Sequence, residues 1–284
     1  MGVLSALGFS FKAIFVKLGF SHGVDPVTLL ALRMAFSLPL FLIMAVWVGT
    51  AGITRSDWWQ LALLGMLGYY LASLLDFLGL QYISAGLERL ILFLYPTLVL
   101  IFSALFFKQA VTRRLLGALA LCYLGITLAM AHDVRLAGAA EDVAKGSLLV
   151  FACTVTFAWY WMGASQLVPR LGALRLTAYA SSFACIYSFA HFLITHPVAA
   201  LQVPSVVYWD TLGLALFSTV LPIYFQAEAI RCIGVATASL VSTLGPVLTL
   251  GLSWLILGES LSIWQLVGAS FVVAGVSVAG RQKC

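Results

Sequence analysis

Long apolar windows recur along the whole of this 284-residue chain. A helix rises about 1.5 Å per residue, so a window of roughly 18 to 24 apolar residues crosses the hydrocarbon core of a membrane. Backbone polar groups in lipid must be satisfied within the segment, and no window alternates like a barrel strand, so the windows predict helices. About ten such windows are present, at residues 3–20, 28–48, 58–80, 84–107, 113–131, 147–167, 174–195, 208–230, 233–257 and 262–280.

The composition agrees with a protein that lies within a membrane. Hydrophobic residues make up 63% of the chain and charged residues only 9%, with a mean hydropathy of +1.08. A soluble domain carries roughly a quarter of its residues as Asp, Glu, Lys and Arg. We therefore expect an integral membrane protein, of the bacterial cytoplasmic membrane, with the lipid bilayer and a small-molecule substrate as partners and no nucleic acid. The sequence leaves the oligomeric state open.

The basic residues between the windows predict the orientation. If the N-terminus is cytoplasmic, nine Lys and Arg residues face the cytoplasm, among them Arg55, Arg170 and Arg175, and only Arg135 and Lys145 face the other side. This excess follows the positive-inside rule, so both termini are expected in the cytoplasm. The five cysteines show no C-x-x-C spacing, and we expect neither a metal site nor a cofactor.

The two halves of the chain align with each other. Shifting the sequence by 150 positions places 83–130 on 233–280 without a gap, and Pro96 then falls on Pro246. A proline inside a helix removes a backbone hydrogen bond and bends the helix, so both prolines are predicted helix bends. Each copy holds five windows, an odd number, and the copies must cross the membrane in opposite directions. We therefore predict an all-α fold of ten transmembrane helices, with one five-helix repeat at 1–131, an outer linker at 132–146 and a second inverted repeat at 147–284.

Three stretches resemble the EamA-type members of the drug/metabolite transporter superfamily. They are residues 15–42, residues 79–112, and residues 229–262, the last of which has the sequence Leu-Gly-Glu near its end, at 257–259. The resemblance covers nearly the entire chain through the order of several weak motifs. It implies an inverted repeat around a central cavity, and a secondary transporter that moves a small amphipathic metabolite, an amino acid or similar, by alternating access. Family members often move their solutes outward, so export is expected, but the resemblance does not name the substrate.

Several charged residues fall inside the predicted helices, where a charge at the bilayer centre costs at least roughly 2.5 to 3.5 kcal/mol. Counted along the helices, most of them form one layer on the order of 5 to 8 Å below the outer boundary. We expect Glu88 or Asp76 to pair with Arg33 or Lys17 and to close the outer mouth, although Lys17 alone is better explained by snorkelling to the headgroups. The candidates for an outer gate or for coupling are Arg33, Asp76, Glu88, Arg89 and Glu228.

Lys12 lies deeper, about 12 Å inside the first window. It is therefore expected to line the cavity, where it would neutralise a carboxylate or phosphate of the substrate or take part in proton coupling. Aromatic and hydroxyl side chains supply the rest of the expected lining, because rings with a polar tip suit an amphipathic solute. The candidate substrate-binding residues are Lys12, Tyr69, Tyr70, Tyr95, Trp159, Tyr160, Tyr224, Ser239 and Thr243.

Two other functional classes compete with a transporter. An intramembrane enzyme that acts on a lipid or small metabolite is one, but the chain has no G-x-S-x-G or H-E-x-x-H motif, so we do not expect an enzyme. A channel is the other, and would typically present a filter loop or a ring of like charges.

Overall fold

The structure is a computed structural model and describes residues 2–107, 113–137, 140–223, 225 and 245–280. The ordered elements in these residues are all helices, and no β-strand occurs among them. The helices, labelled α1 to α11, are Gly2–Ser21, Pro26–Val48, Arg55–Leu80, Ala85–Leu92, Tyr95–Phe107, Arg113–Ala137, Ala140–Leu171, Ala173–Thr195, Ser205–Ile223, Gly245–Leu257 and Ile263–Gly280.

Short polar sequences set where the first helices begin. Asp25 caps α2 by accepting hydrogen bonds from the backbone N–H groups of Val27 and Thr28, and Pro26 at the first helical position fixes a helical φ. Thr54 and Asp57 form a reciprocal capping box at the start of α3. These caps satisfy backbone donors at helix ends, which water would otherwise have to reach.

The fourth predicted window is divided into two helices. α4 ends at Leu92 and α5 begins at Tyr95, and between them the N–H of Leu94 donates to the carbonyl of Ile91 over 3.0 Å. Pro96 has no N–H to donate to the carbonyl of Leu92, which accounts for the interruption one turn earlier. The matching Pro246 is the second residue of α10, and the residues that precede α10 lie outside the described part of the chain.

Helices from the two halves of the chain pack against each other throughout the structure. α2 packs on α8, the second half of α3 on α7, and α1 on both α9 and α10. α6 and α11 cross so closely at Gly125 and Gly268 that neither position has room for a Cβ atom. Small residues at such crossings let helix backbones approach in a membrane, where packing replaces the hydrophobic drive to associate.

Six of the described helices are long and apolar enough to cross a membrane: α1, α2, α3, α7, α8 and α9. Shorter apolar stretches occur at Ala120–Ala129, Gly245–Leu257 and Ile263–Gly275. The all-helical membrane fold is confirmed, whereas the count of ten spans and the division into two inverted repeats stay predictions.

Candidate functional site

The site is built around one ammonium group and two carboxylates inside the helical bundle. Lys12 Nζ of α1 lies 2.8 Å from Asp76 Oδ2 of α3 and 3.5 Å from Glu88 Oε1 of α4. The two carboxylates are 0% and 1% exposed, whereas the Lys12 side chain is 18% exposed. Burying charges costs free energy unless they are paired, so this ion cluster joins three helices at a single point. We call Lys12, Asp76 and Glu88 the ion cluster.

The pairing differs from the one expected from the sequence, in which Glu88 or Asp76 would meet Arg33 or Lys17. Depth counted along a single helix placed Lys12 in a deeper layer than the two acids. In the structure α4 begins only at Ala85, capped by Ser84, so Glu88 lies in its first turn. Depth along each helix does not fix the relative heights of α1, α3 and α4, and Lys12 meets both acids in the packed structure.

Arg33 lies next to the ion cluster without joining it by a direct ion pair. Its Nη2 donates to Ser73 Oγ over 3.2 Å, and its guanidinium stands 5.4 Å from the ring centre of Phe77. The residue is only 5% exposed, and among the described residues no acceptor meets its Nε or Nη1. Since Ser73 and Phe77 flank Asp76 on α3, Arg33 adds a second positive charge near that carboxylate.

Arg89 contacts a different helix from Glu88, whose partner is Lys12 on α1. A Cβ atom on Gly245 of α10 would lie 3.0 Å from Arg89 Nη2, so the guanidinium rests against the start of that helix. Arg89 is also close enough to Tyr95 to interact with it electrostatically. Neighbouring residues on a helix point about 100° apart, which explains why Glu88 and Arg89 meet different helices.

Lys17 has a partner that the sequence analysis did not identify. Its Nζ lies 2.9 Å from Glu259 Oε1, at the turn between α10 and α11. The snorkelling explanation for Lys17 is therefore wrong, because the ammonium group is held by an ion pair within the protein. The sequence singles out Glu259 only as the end of the Leu-Gly-Glu motif.

Aromatic rings from three helices form a second group. The ring of Tyr95 is stacked on Trp161 at 5.9 Å and meets the edge of Phe157 at 5.3 Å. Phe157 is stacked on Tyr160 at 5.8 Å, and Tyr160 meets Tyr69 at 5.0 Å. We call these five residues the aromatic cluster. The spacing of 157, 160 and 161 puts three rings on one face of α7, a pattern that could have indicated Phe157 and Trp161 from the sequence.

A glycine gives the aromatic cluster its close packing. A Cβ atom on Gly68 of α3 would collide with the Tyr160 ring, so only glycine lets α3 approach α7 here. One residue later, the hydroxyls of Tyr69 and Tyr160 lie 2.8 Å apart and share a hydrogen bond. The cluster is therefore fixed both by shape and by a polar contact.

Two other candidate lining residues lie apart from this group. Tyr70 contacts His191 and Tyr187 of α8, with ring centres 6.0 and 6.1 Å away. The Trp159 ring is stacked on Phe102 of α5 and its side chain is 38% exposed. Four further candidates, Tyr224, Glu228, Ser239 and Thr243, lie outside the described residues.

The described residues contain no group of three or more His, Cys, Asp or Glu side chains placed to hold a metal ion. Buried ion pairs and a cluster of rings inside a helical bundle suit the handling of a solute within the membrane. Comparison with known proteins agrees with that chemistry. The EamA-like transporter family matches residues 1–131 and 144–281.

The chain belongs to the EamA-like transporter family. It is 29% identical to the uncharacterized transporter YcbK of Bacillus subtilis, a match that covers 96% of this chain and 90% of the relative. It is 28% identical to the S-adenosylmethionine/S-adenosylhomocysteine transporter of Chlamydia muridarum, over 76% of this chain and 70% of that protein. A solved crystal structure covers 98% of this chain and 94% of its own with a TM-score of 0.69 at 18% identity, which supports the fold.

Membership of the EamA-like family makes this an integral membrane transporter for a small molecule. It also decides against the intramembrane-enzyme alternative, because the family and the named relatives are transporters.

Proposed function

We propose that this EamA-like protein is a secondary transporter that exports a small amphipathic metabolite with an amino acid head group across the bacterial cytoplasmic membrane. Alternating access between two inverted repeats would move the solute, with both termini in the cytoplasm. The observation that carries this proposal is the ion cluster, with Lys12 Nζ 2.8 Å from Asp76 and 3.5 Å from Glu88 inside the bundle.

The charges around the ion cluster complement a zwitterion. Lys12 and Arg33 supply two positive groups, and Asp76 and Glu88 supply two negative ones. Arg33 Nε and Nη1 meet no acceptor among the described residues, so the guanidinium has donors available for a charge-assisted hydrogen bond to a carboxylate. A substrate carboxylate would therefore bind Arg33 or Lys12, while its ammonium group would bind Glu88.

The aromatic cluster supports an apolar or ring-containing part in the same solute. Tyr69 precedes Asp76 by seven positions on α3, roughly 10 Å along the helix axis. Tyr160 stands at the same separation from Cys153 on α7, and Cys153 lies near the ion cluster. A solute with a charged head and a ring spaced by about that distance would contact both groups.

The name of one relative supports a solute of this kind. S-adenosylmethionine and S-adenosylhomocysteine, the solutes in the name of the Chlamydia relative, both carry an amino acid group and an adenine ring. We therefore include them as the first solutes to test, followed by free aromatic and aliphatic amino acids.

Transport in proteoliposomes tests the proposal. Uptake of the radiolabelled solutes should be saturable with the unmodified protein and should fall at least tenfold in Lys12→Gln, whereas the exposed-residue control Arg55→Gln should behave like the unmodified protein. Vesicles with the protein in each orientation report the direction. A steady ionic current across a planar bilayer, or equal uptake by Lys12→Gln, would contradict the proposal.

The same proteoliposome assay tests whether transport is coupled to protons through the remaining gate and coupling candidates. Among them Asp76 and Glu88 are the carboxylates placed to exchange a proton when the substrate binds, and Glu228 is a further candidate from the sequence. Transport that is unaffected by an imposed pH gradient would remove the coupling role and leave exchange or facilitated diffusion.

A further inference from the structure

Glu259 joins two helices that carry residues of the ion cluster. Its Oε1 lies 2.9 Å from Lys17 Nζ, and both of its carboxylate oxygens accept from the N–H of Ala85 over 3.2 Å. Lys17 lies five positions after Lys12 on α1, and Ala85 lies three positions before Glu88 on α4. One carboxylate from the second half of the chain therefore holds α1 and α4 together at the end next to the ion cluster.

The backbone at Glu259 is built to present this side chain. Gly258 ends α10 with a φ of 67°, in the left-handed region that favours glycine, and the N–H of Glu259 returns to the carbonyl of Ser253 over 3.3 Å. This turn places the carboxylate at the N-terminus of α4. The helix dipole there favours a negative charge, and the first N–H groups of a helix have no acceptor within the helix itself. Glu259 thus has two partners, a charge and a helix end.

We propose that Glu259 is a latch that closes the solute pathway on its own side of the membrane. This inference rests on the proposed alternating-access function. With Glu259 bound to Lys17 and Ala85, α10 is tied to α1 and α4, and the ion cluster is covered from that side. Breaking both contacts frees α10 to separate from α1 and α4 and opens the cluster to that side.

The two charged residues of the latch have no charged counterparts in the sequence of the other half of the chain. In the alignment offset by 150 positions, Lys17 corresponds to Leu167 and Glu259 to Gln109. The two halves of the chain do form an ion pair elsewhere, between Asp57 of α3 and Arg170 of α7. Asp57 is nineteen positions from Asp76, or about 28 Å along α3, so that pair is remote from the ion cluster.

Thiol modification measures the latch without a substrate. Cys153 is 3% exposed and interacts with the ion cluster, and it becomes the only thiol when Cys122, Cys185, Cys232 and Cys284 are replaced by alanine. A membrane-impermeant methanethiosulfonate reagent is then added to either side of oriented vesicles. In this background Glu259→Gln should raise the rate of Cys153 modification at least fivefold from the Glu259 side and lower it from the opposite side. Lys17→Met should do the same.

Two controls identify the ion pair as the cause. The charge exchange Lys17→Glu with Glu259→Lys should return the rate to within twofold of the parent, although it loses the contact with Ala85. Arg170→Gln should leave the rate from the Glu259 side unchanged. An unchanged rate in Glu259→Gln, or an equal rise from both sides, would overturn the latch. Because modification needs no solute, a protein that moves nothing in the transport screen would refute the proposed function and leave this measurement intact.

Discussion

Lys12 Nζ and Asp76 Oδ2 lie 2.8 Å apart, on two helices that the chain separates by more than sixty residues. The Asp76 side chain is fully buried, and the Lys12 side chain is 18% exposed. A transporter needs charges that are paired when the site is empty and available when a solute binds. The 3.5 Å contact with Glu88 shows how one ammonium group is shared between two acids.

Replacing Lys12 by methionine should abolish transport and weaken the fold. Removing one partner of a buried pair leaves unpaired charge, at a cost of roughly 3 to 5 kcal/mol in the free energy of unfolding. We expect a lower melting temperature in detergent and at least a tenfold loss of solute uptake. Adding Asp76→Asn and Glu88→Gln to Lys12→Met removes the two unpaired carboxylates but leaves the buried Arg33 without its nearby acid, so it should restore part of the melting temperature without restoring uptake. Recovery of uptake in the triple variant would mean that the ion cluster only supports the fold.

The hydrogen bond between Tyr69 and Tyr160 can be measured by a double-mutant cycle. Each Tyr→Phe change removes a hydroxyl from a contact that contributes about 1 kcal/mol to stability. Tyr69→Phe and Tyr160→Phe remove the two ends of the same 2.8 Å contact. The double variant should cost less than the sum of the two, as measured by unfolding in detergent. Strictly additive losses would show that the two hydroxyls do not stabilise one another.

Hydrophobic length and composition were sufficient to predict an all-helical membrane protein, because lipid permits few other structures. They were not sufficient to predict which charges meet. The depth of Asp76 and Glu88 along their own helices says nothing about the relative heights of α1, α3 and α4, so Lys12 was assigned to a different layer. Lys17 was likewise separated from Glu259, because that contact depends on how the turn after α10 sits beside α4.

For the aromatic residues too, the sequence predicts which rings share a helix face, but not which helices bring those rings into contact. Tyr69, Tyr95 and Tyr160 were selected from the sequence, and the structure brings their rings together. Phe157 and Trp161 complete the group through helical spacing that the sequence contains but that composition alone does not single out. Only the three-dimensional packing of α3 on α7, made possible by Gly68, shows that these rings face each other.

The cap of α2 should make stability depend on pH in the acid range. Partial burial acts to raise the pKa of Asp25, but hydrogen bonds from Thr28 and Val27 and the nearby His196 outweigh it and hold the pKa below its ordinary value. Stability from a depressed pKa is present above the unfolded-state value, about 3.9, and is lost as the pH falls through the lower folded-state value.

Asp25→Asn separates this charge effect from the cap, because asparagine also caps helices but does not titrate in this range. The variant should be less stable than the parent at pH 6, and the gap should narrow as the pH falls below about 4. Asp25→Ala should lose roughly 1 kcal/mol more at either pH, because the cap is gone. Thermal unfolding in detergent between pH 3 and 7 checks both statements, and a gap at pH 3 as large as the gap at pH 6 would contradict the role of the charge.

Arg175 should hold the end of α2 in place. Its Nε donates to the carbonyl of Val48 over 3.0 Å and its Nη1 to the carbonyl of Ala51 over 2.9 Å, which satisfies two acceptors at the C-terminus of that helix. A cation there also complements the helix dipole. Arg175→Met should therefore lower the free energy of unfolding by roughly 1.5 to 3 kcal/mol, the range for hydrogen bonds to charged groups.

Hydrogen exchange measures this effect locally. In Arg175→Met, exchange at residues 46–53 should rise several-fold while exchange in α6 stays the same. Arg175→Lys should recover only part of the loss, because a single ammonium group lacks the planar fork that reaches both carbonyls. Arg113→Met, a change at an exposed arginine, should leave exchange at 46–53 as it is in the parent. Equal exchange in Arg175→Met and the parent would show that the carbonyls at the end of α2 do not depend on this side chain.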